Sequence, residues 1–563
     1  MNGSDFVIIG GVAAGPKTAA TLARRLPSAR ITLFQKEALL SYATCGLPYY
    51  ASGEMADIKE LTRTPYGVVR DTAFFRGSKG FEAVTGAEVI NIDRKSKSVT
   101  VRKVAGGESF EHTYQKLVIT TGAVPKKPSF PFPESPLVSP FTRPKDAVEF
   151  RSLAEQGKVG EVVIIGAGFI GCELVDAVRD MWGIDATLIE QGDHLLPHQL
   201  DPEMAAIVQR FLESKGIKII TGAEVEGINV GDDGRPVVSV KDQPSIVTDY
   251  VFYCLGVSPQ TKLARECGLD IGETGGILVN RQLCTSDPDI YAGGDCIESF
   301  HQITDHKLFY PMGSLANRHG RIIAENLAGG KEEFSGVLGS FMLSLLGLNI
   351  GSVGLSARTA REHGFQVKAV WGTFPDKPDY RSDKDTFVLK LIYDETGNRL
   401  LGLQGIGGGD VCRRVDVFSS FLQNRGTTDD LVDFEHGYAP QFSEPLDPLF
   451  QMATIARLQQ QGVSFIDPGT DFSNLSDPFL LLDVRETEEA STKGIPSVIA
   501  QAAHQVVNIP LNELSGRLGE IEKGRKVIVV CQRGSRSYQA AILLKQSGIE
   551  DIHIVGGGLS SLT

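Results

Sequence analysis

Val162-Val163-Ile164-Ile165-Gly166-Ala167-Gly168-Phe169-Ile170-Gly171 is the stretch that decides the fold. Four apolar residues, mostly β-branched, read as a buried strand. The strand runs into Gly-x-Gly-x-x-Gly, and a helix is expected from near Cys172-Glu173. A strand that passes through a tight glycine turn into a helix aims backbone N–H groups and the positive helix end at a pyrophosphate. The next strand, Ala186-Thr187-Leu188-Ile189, ends at Glu190. Its carboxylate can accept hydrogen bonds from a ribose diol and repels a 2′-phosphate, so NADH is expected over NADPH.

A second loop of the same kind opens the chain. Phe6-Val7-Ile8-Ile9 leads into Gly10-Gly11-Val12-Ala13-Ala14-Gly15 and a helical stretch from Thr18 to Leu26, with Val12 where the pattern has its middle glycine. The strand Ile31-Thr32-Leu33-Phe34 ends at Gln35 rather than an acid, with Glu37 close by. Leu117-Val118-Ile119-Thr120-Thr121-Gly122-Ala123 closes this unit, and Ile290-Tyr291-Ala292-Gly293-Gly294-Asp295 follows the second. Two dinucleotide loops in one chain predict FAD bound beside NAD, with Asp295 as the leading flavin ligand.

The chain has 563 residues, enough for about three to five domains. A net charge of -13 argues against a nucleic-acid partner, which would need a basic stripe. No run approaches the roughly 20 apolar residues that span a bilayer, and the start reads as a strand rather than a signal peptide, so no membrane partner and a cytoplasmic protein are expected. Eight cysteines without a Cys-x-x-Cys pair or a His/Cys cluster fit neither a disulfide scaffold nor a metal site. Most of Cys172, Cys254, Cys267, Cys284, Cys296 and Cys412 read as small core residues.

Cys45, in Ser41-Tyr42-Ala43-Thr44-Cys45-Gly46-Leu47-Pro48-Tyr49, stands apart, because the next cysteine, Cys172, lies in the other nucleotide unit. Sulfur chemistry here must use a mixed disulfide, a persulfide or a sulfenate. The thiolate is the nucleophile, so the surroundings are expected to lower the thiol pKa.

Ser41-Tyr42-Ala43-Thr44-Cys45 resembles the Ser-Phe-x-x-Cys mark of the coenzyme A-disulfide reductases, the single-cysteine branch of the pyridine nucleotide-disulfide oxidoreductases, and the likeness covers about the first 455 residues. That resemblance implies FAD held by Gly10, Gly11, Ala13, Ala14, Gly15, Gln35, Lys36, Val89, Thr121, Gly122, Asp295 and Ala316. It implies NADH held by Gly166, Gly168, Phe169, Ile170, Gly171, Glu190 and Gly256. Coenzyme A, as substrate or bound thiol, would meet Lys17, Thr21, Arg24, Ser41 and Thr44, with Arg63, Arg70 and Arg76 following. The resemblance also implies a homodimer in which Tyr380 and Tyr438 act in the partner's site, although Leu446 replaces a basic residue often found there.

From about Pro468 the chain changes character. Phe479 to Glu486, Asn508-Ile509-Pro510-Leu511, and Val527-Ile528-Val529-Val530 followed by Cys531-Gln532-Arg533-Gly534-Ser535-Arg536 resemble a rhodanese domain. Inward N–H groups together with Arg533 and Arg536 make Cys531 a candidate sulfane-sulfur carrier. Arg536 follows Cys531 by five positions, one fewer than in tyrosine phosphatases, a smaller cradle suited to a terminal sulfur.

The expected fold is therefore α/β: two Rossmann-like FAD and NAD(P) domains, an α+β dimerisation domain, and a C-terminal α/β rhodanese domain. The expected bounds are 1–150 and 276–335 for FAD, 151–275 for NAD, 336–457 for dimerisation, 458–470 as linker, and 471–563 for rhodanese. The expected activity is reduction of a persulfide, polysulfide or coenzyme A disulfide by NADH and FAD through Cys45, releasing sulfide or coenzyme A. The alternative is an NADH oxidase or peroxidase that cycles through a Cys45 sulfenate.

Overall fold

The computed structural model describes residues 3–475 and 477–562. They form two compact units. The first holds residues 3–166, Leu174–Leu188 and Glu224–Val337, and the second Ala167–Glu173, Ile189–Ala223 and residues 338–475 and 477–562.

In the first unit, strand Gly3–Ile9 pairs in parallel with Ile31–Phe34 on one side and with Ser109–Ile119 on the other. Ile290–Ala292 adds in parallel beyond Ser109–Ile119. The side chains of Val7, Ile8, Leu33, Leu117 and Val118 are fully buried, as expected of a parallel sheet covered on both faces. Register fixes what the sheet presents: Ile9 lies opposite both Phe34 and Ile119, and Ile119 opposite Ala292. Four strands thus end abreast. The segments beginning at Gly10, Gln35, Thr120 and Gly293 leave the sheet at one edge, the carboxyl edge where open α/β sheets bind ligands. The helix after the first loop is Ala14–Arg25, starting four residues earlier than the sequence suggests, because the Ala13-Ala14-Gly15 turn is itself helical entry. A second parallel set in this unit joins Glu161–Ile165 to Tyr250–Tyr253, and Tyr250–Tyr253 to Val138–Ser139.

The second unit carries two sheets. Residues 341–407 make an antiparallel sheet ordered Phe341–Leu345, Leu348–Gly354, Leu400–Gly407, Thr386–Asp394, Val367–Pro375. Its first hairpin turns on Leu346 and Gly347, both at positive φ (49° and 88°), the geometry whose twist matches paired strands. Helices Val411–Gln423 and Pro448–Gln460 belong to the same unit. The other sheet is all parallel, ordered Ser464–Ile466, Ile552–Val555, Lys526–Val530, Phe479–Asp483, Gln505–Asn508. Ser464–Ile466, inside the stretch read from sequence as linker, is an edge strand of this sheet, with Phe465 opposite Ile554. Three residues are too few to show periodicity. Together these sheets make up the α/β architecture expected. Among the described residues, no helix is long and apolar enough to cross a membrane.

Candidate active site

The first loop is built to bring backbone close to a ligand. Gly10 has φ +105°, and a Cβ there would lie 2.2 Å from the Thr120 carbonyl oxygen. A Cβ on Gly15 would lie 1.9 Å from the Gly10 carbonyl oxygen. Neither position admits a side chain, whereas half-buried Val12 is accommodated at the place of the missing glycine. Gln35 crosses the loop: its Oε1 accepts from the Gly11 N–H (2.7 Å), and its Nε2 donates to Glu37 (2.6 Å). The acid that the strand end lacks is therefore supplied two residues on, held by the amide. Asp295 follows Gly293-Gly294 at the same sheet edge, and burial pushes its carboxyl up to about 6, opposed by the Met312 N–H. A polar group half removed from water and, among the described residues, without a charged partner suits a hydroxyl-bearing ligand chain. Ala316 and Val89 are buried, and the Thr121 hydroxyl donates to the Gln260 carbonyl (2.6 Å). Lys36 is committed to Glu88 (2.9 Å). The glycine cradle, Glu37 and Asp295 fit a flavin dinucleotide.

Cys45 is tethered to this loop. Ser41 sits at φ +48°, and its N–H donates to the Gly11 carbonyl (2.8 Å). Arg70 holds the other side: its guanidinium donates to the Ser41 carbonyl (2.8 Å) and to the Arg63 carbonyl (2.8 Å). The Ala43 N–H then donates to Leu61 O (3.0 Å), and Thr44–Gly46 forms a single 3₁₀ turn ahead of the helix Leu47–Ser52. Leu47 and Pro48 are buried, while Thr44 and Cys45 are exposed. None of the eight cysteines is in a disulfide, and Cys45 alone is exposed. Cys172 and Cys296 are buried, and burial pushes both thiols up, Cys296 to about 11. Cys254, Cys267, Cys284 and Cys412 are half-buried rather than core, and burial also raises the last three of these thiols.

Of the cations on this side, Arg24 donates to the buried Thr21 hydroxyl (3.1 Å), and Lys17 is half-buried one turn earlier on the same helix. Arg25 pairs with Glu325 (3.0 Å) and Arg76 with Glu82 (2.7 Å), so neither is a spare charge. Arg70 shapes the Cys45 loop instead of standing free for a phosphate.

At the second loop Gly166 has φ +101°, and a Cβ would meet the Cys254 carbonyl oxygen at 2.4 Å. Gly256 follows at φ +82°. The Glu190 carboxylate accepts from the Ala167 N–H (2.7 Å) through one oxygen and from the Gly192 N–H (2.7 Å) through the other. It is thus braced across the glycine turn as Gln35 is across the first, with the remaining lone pairs open to a diol. The helix Phe169–Arg179 begins directly after Gly168, earlier than the sequence suggests, so Phe169, Ile170 and Gly171 form its first turn.

In the second unit, Tyr380 and Tyr438 are exposed at 75% and 49%. Cys531 is fully buried, and its Sγ accepts from the N–H groups of Gly534 (3.1 Å) and Ser537 (3.4 Å) at the start of helix Ser535–Gln546. Gly558 lies against this loop so closely that a Cβ would be 2.6 Å from Cys531 O. The Leu559 N–H donates to that same carbonyl (2.9 Å). From sequence alone Arg533 and Arg536 add positive charge to the Cys531 cradle. The structure commits Arg536 to Glu489 in a two-pronged pair (2.7 and 2.8 Å) and Arg533 to Asp379 (3.1 and 3.3 Å). Glu489 and Asp379 carry no local motif, and only tertiary structure brings them to the cysteine loop.

Residues 4–308 match the family described as pyridine nucleotide-disulphide oxidoreductase, residues 344–449 its dimerisation domain, and residues 471–563 the rhodanese-like domain. The NAD(P)H sulfur oxidoreductase (CoA-dependent) of Pyrococcus abyssi is 31% identical over 80% of this chain and 98% of its own length. A solved NAD-dependent persulfide reductase from A. fulgidus superposes with TM-score 0.93 at 35% identity, covering 99% of this chain and 100% of that one. The reduced CoADR-RHD of Bacillus anthracis gives 0.90 at 28% identity, covering 100% and 98%.

Proposed function

The chain belongs to the pyridine nucleotide-disulphide oxidoreductase family and ends in a rhodanese-like domain, and from that premise we propose that it reduces persulfides and coenzyme A disulfides or persulfides through Cys45, releasing sulfide or coenzyme A. The observation that carries this reading is a lone exposed thiol on a loop hydrogen-bonded to the dinucleotide turn through Ser41 and Gly11. When bound, FAD and NADH supply the two-electron chemistry. The Cys45 thiolate attacks a sulfur of R–S–S–CoA, the S–S bond breaks, R–S⁻ leaves, and a Cys45–S–S–CoA bond forms. Two electrons then return Cys45 and coenzyme A as thiolates. Lys17, Thr21 and Arg24 are assigned to the substrate phosphates, and Ser41 and Thr44 to the arm beside Cys45.

Tyr380 and Tyr438, on exposed segments of the unit that contains the dimerisation domain, are assigned to the active site of a second copy in a homodimer. Cys531 is assigned to sulfane-sulfur carriage, with Arg533 and Arg536 in its cradle. The test is anaerobic: NADH consumed with stoichiometric sulfide from a thiol persulfide supports the reading. Turnover that requires oxygen or peroxide points instead to an oxidase working through a Cys45 sulfenate.

Two substitutions probe the parts separately. Cys531→Ser should leave reduction of small thiol persulfides largely intact while slowing use of polysulfide or elemental sulfur. Equal loss on every substrate would place Cys531 in the Cys45 step. Glu190→Ala removes both braces on the second loop and the diol acceptor, so KM for NADH should rise about tenfold while the preference against NADPH narrows. An unchanged NADH/NADPH ratio in steady-state kinetics would remove Glu190 from cofactor selection.

A further inference from the structure

Sulfur carriers of this kind must stabilise whatever leaves when the thiolate takes a sulfur atom. Thiosulfate carries two negative charges and releases sulfite, so its use calls for uncompensated cations around the cysteine. A thiol persulfide R–S–SH transfers its outer sulfur to the Cys531 thiolate, giving Cys531–S–SH and R–S⁻. The S–S bond of the donor breaks, a new one forms, and a single charge leaves on R.

Around Cys531 the two cations within the loop are both matched by carboxylates. Arg536, whose charge is favoured chiefly by the Glu489 hydrogen bonds and more weakly by the Cys531 sulfur, is gripped at both ends of its guanidinium fork. Arg533 is turned to Asp379, which also takes Lys384 (2.9 Å). Apart from Arg536, which the sulfur also feels but which Glu489 already matches, the donors to the sulfur are uncharged: the N–H groups of Gly534 and Ser537. Uncharged donors favour a singly charged terminal sulfur, and paired cations offer little to an oxyanion.

We propose that Glu489 and Asp379 are specificity-determining residues that, by neutralising Arg536 and Arg533, restrict Cys531 to thiol persulfides and exclude dianionic donors such as thiosulfate. The inference rests on the reading of Cys531 as a sulfur carrier. Neither carboxylate touches the reacting sulfur. Both act through the arginines, and Arg536–Glu489 is the stronger restraint because it is two-pronged and less exposed than Asp379.

The experiment uses the full-length chain with Cys45→Ser, so that sulfur on Cys531 is read alone, by mass and by thiocyanate released to cyanide. Glutathione persulfide and thiosulfate are the two donors. The persulfide should load Cys531 faster than thiosulfate does. Glu489→Gln should raise the thiosulfate-to-persulfide rate ratio about tenfold or more, Asp379→Asn should raise it less, and both increases should shrink with added salt. Glu489→Asp, which keeps the charge, should leave the ratio near its starting value. Equal use of both donors by the parent chain, or a ratio unmoved by Glu489→Gln, overturns the assignment. Sulfur on Cys531 from neither donor overturns the carrier reading itself, and the mass measurement distinguishes that failure from the other.

Discussion

Cys45→Ser should lower NADH-dependent reduction of a thiol persulfide or coenzyme A disulfide by at least ~10³-fold, because a hydroxyl at neutral pH cannot replace a thiolate in attack on a sulfur–sulfur bond. The substitution is nearly isosteric at an exposed position, and Ser41, Arg70 and Leu47, which shape the loop, are untouched. Bound flavin and NADH-driven reduction of an artificial acceptor such as ferricyanide should therefore persist. That contrast separates loss of the nucleophile from loss of the fold. Anaerobic stopped-flow with the persulfide, beside the ferricyanide assay, gives both readouts. If Cys45→Ser kept substrate turnover within tenfold, the sulfur would be reduced without a protein adduct, and the mechanism proposed for this site would fail.

Much of the arrangement around Cys45 was legible because its signals are local. Glycines at 10 and 166 are demanded by carbonyls one strand away and Gly15 by Gly10 in the same turn, and each loop that needs them is contiguous in sequence. The same holds for Asp295, which a strand delivers to the edge where Gly10 and Thr120 also emerge. Pairings made across the fold were hidden. Arg70 binds Ser41 at a separation of 29 residues, Glu489 reaches Arg536 across 47, and Asp379 reaches Arg533 across 154. Each changed the reading of an arginine from a free cation to a bound one. A charged residue in a sequence advertises its sign but not its partner, so charge counts near a motif overstate the field at the site. The strand Ser464–Ile466 was missed for a different reason, since its only support is the ladder it forms with Ile552–Val555.

The largest effect on stability is expected at Lys390, deep in the second unit. Its ammonium donates to Asp201 (2.7 Å) and to Glu203, and all three side chains are buried. Gln404 Nε2 and the Ala357 N–H also donate to Asp201 (2.9 and 3.0 Å), and the Trp371 indole donates to Glu203 (3.3 Å). Burial works against the Asp201 charge, but Lys390 together with the Ala357 and Arg358 N–H groups holds the carboxyl below its usual range. Asp467, close enough to feel Glu203, is pushed up to about 6 by burial and then by that neighbour. Lys390→Met keeps the length of the side chain and strands buried carboxylates without their cation, which should cost about 3–5 kcal/mol. The pH dependence follows from proton linkage. Asp201, with a lowered pKa, contributes stability that is present above its unfolded value and lost as pH falls through its folded one. Asp467, with a raised pKa, contributes stability that is present below its unfolded value and lost as pH rises toward about 6. Without Lys390 the carboxyl at 201 loses the cation that lowers it and is driven upward by burial, so the variant binds more protons on folding than the parent does. Its deficit in thermal or denaturant unfolding should therefore be greatest near pH 8 and shrink on acidification toward pH 5. A deficit that stayed constant across that range would mean that Lys390 acts by packing against Trp371, whose ring lies 5.3 Å from the ammonium, rather than by charge.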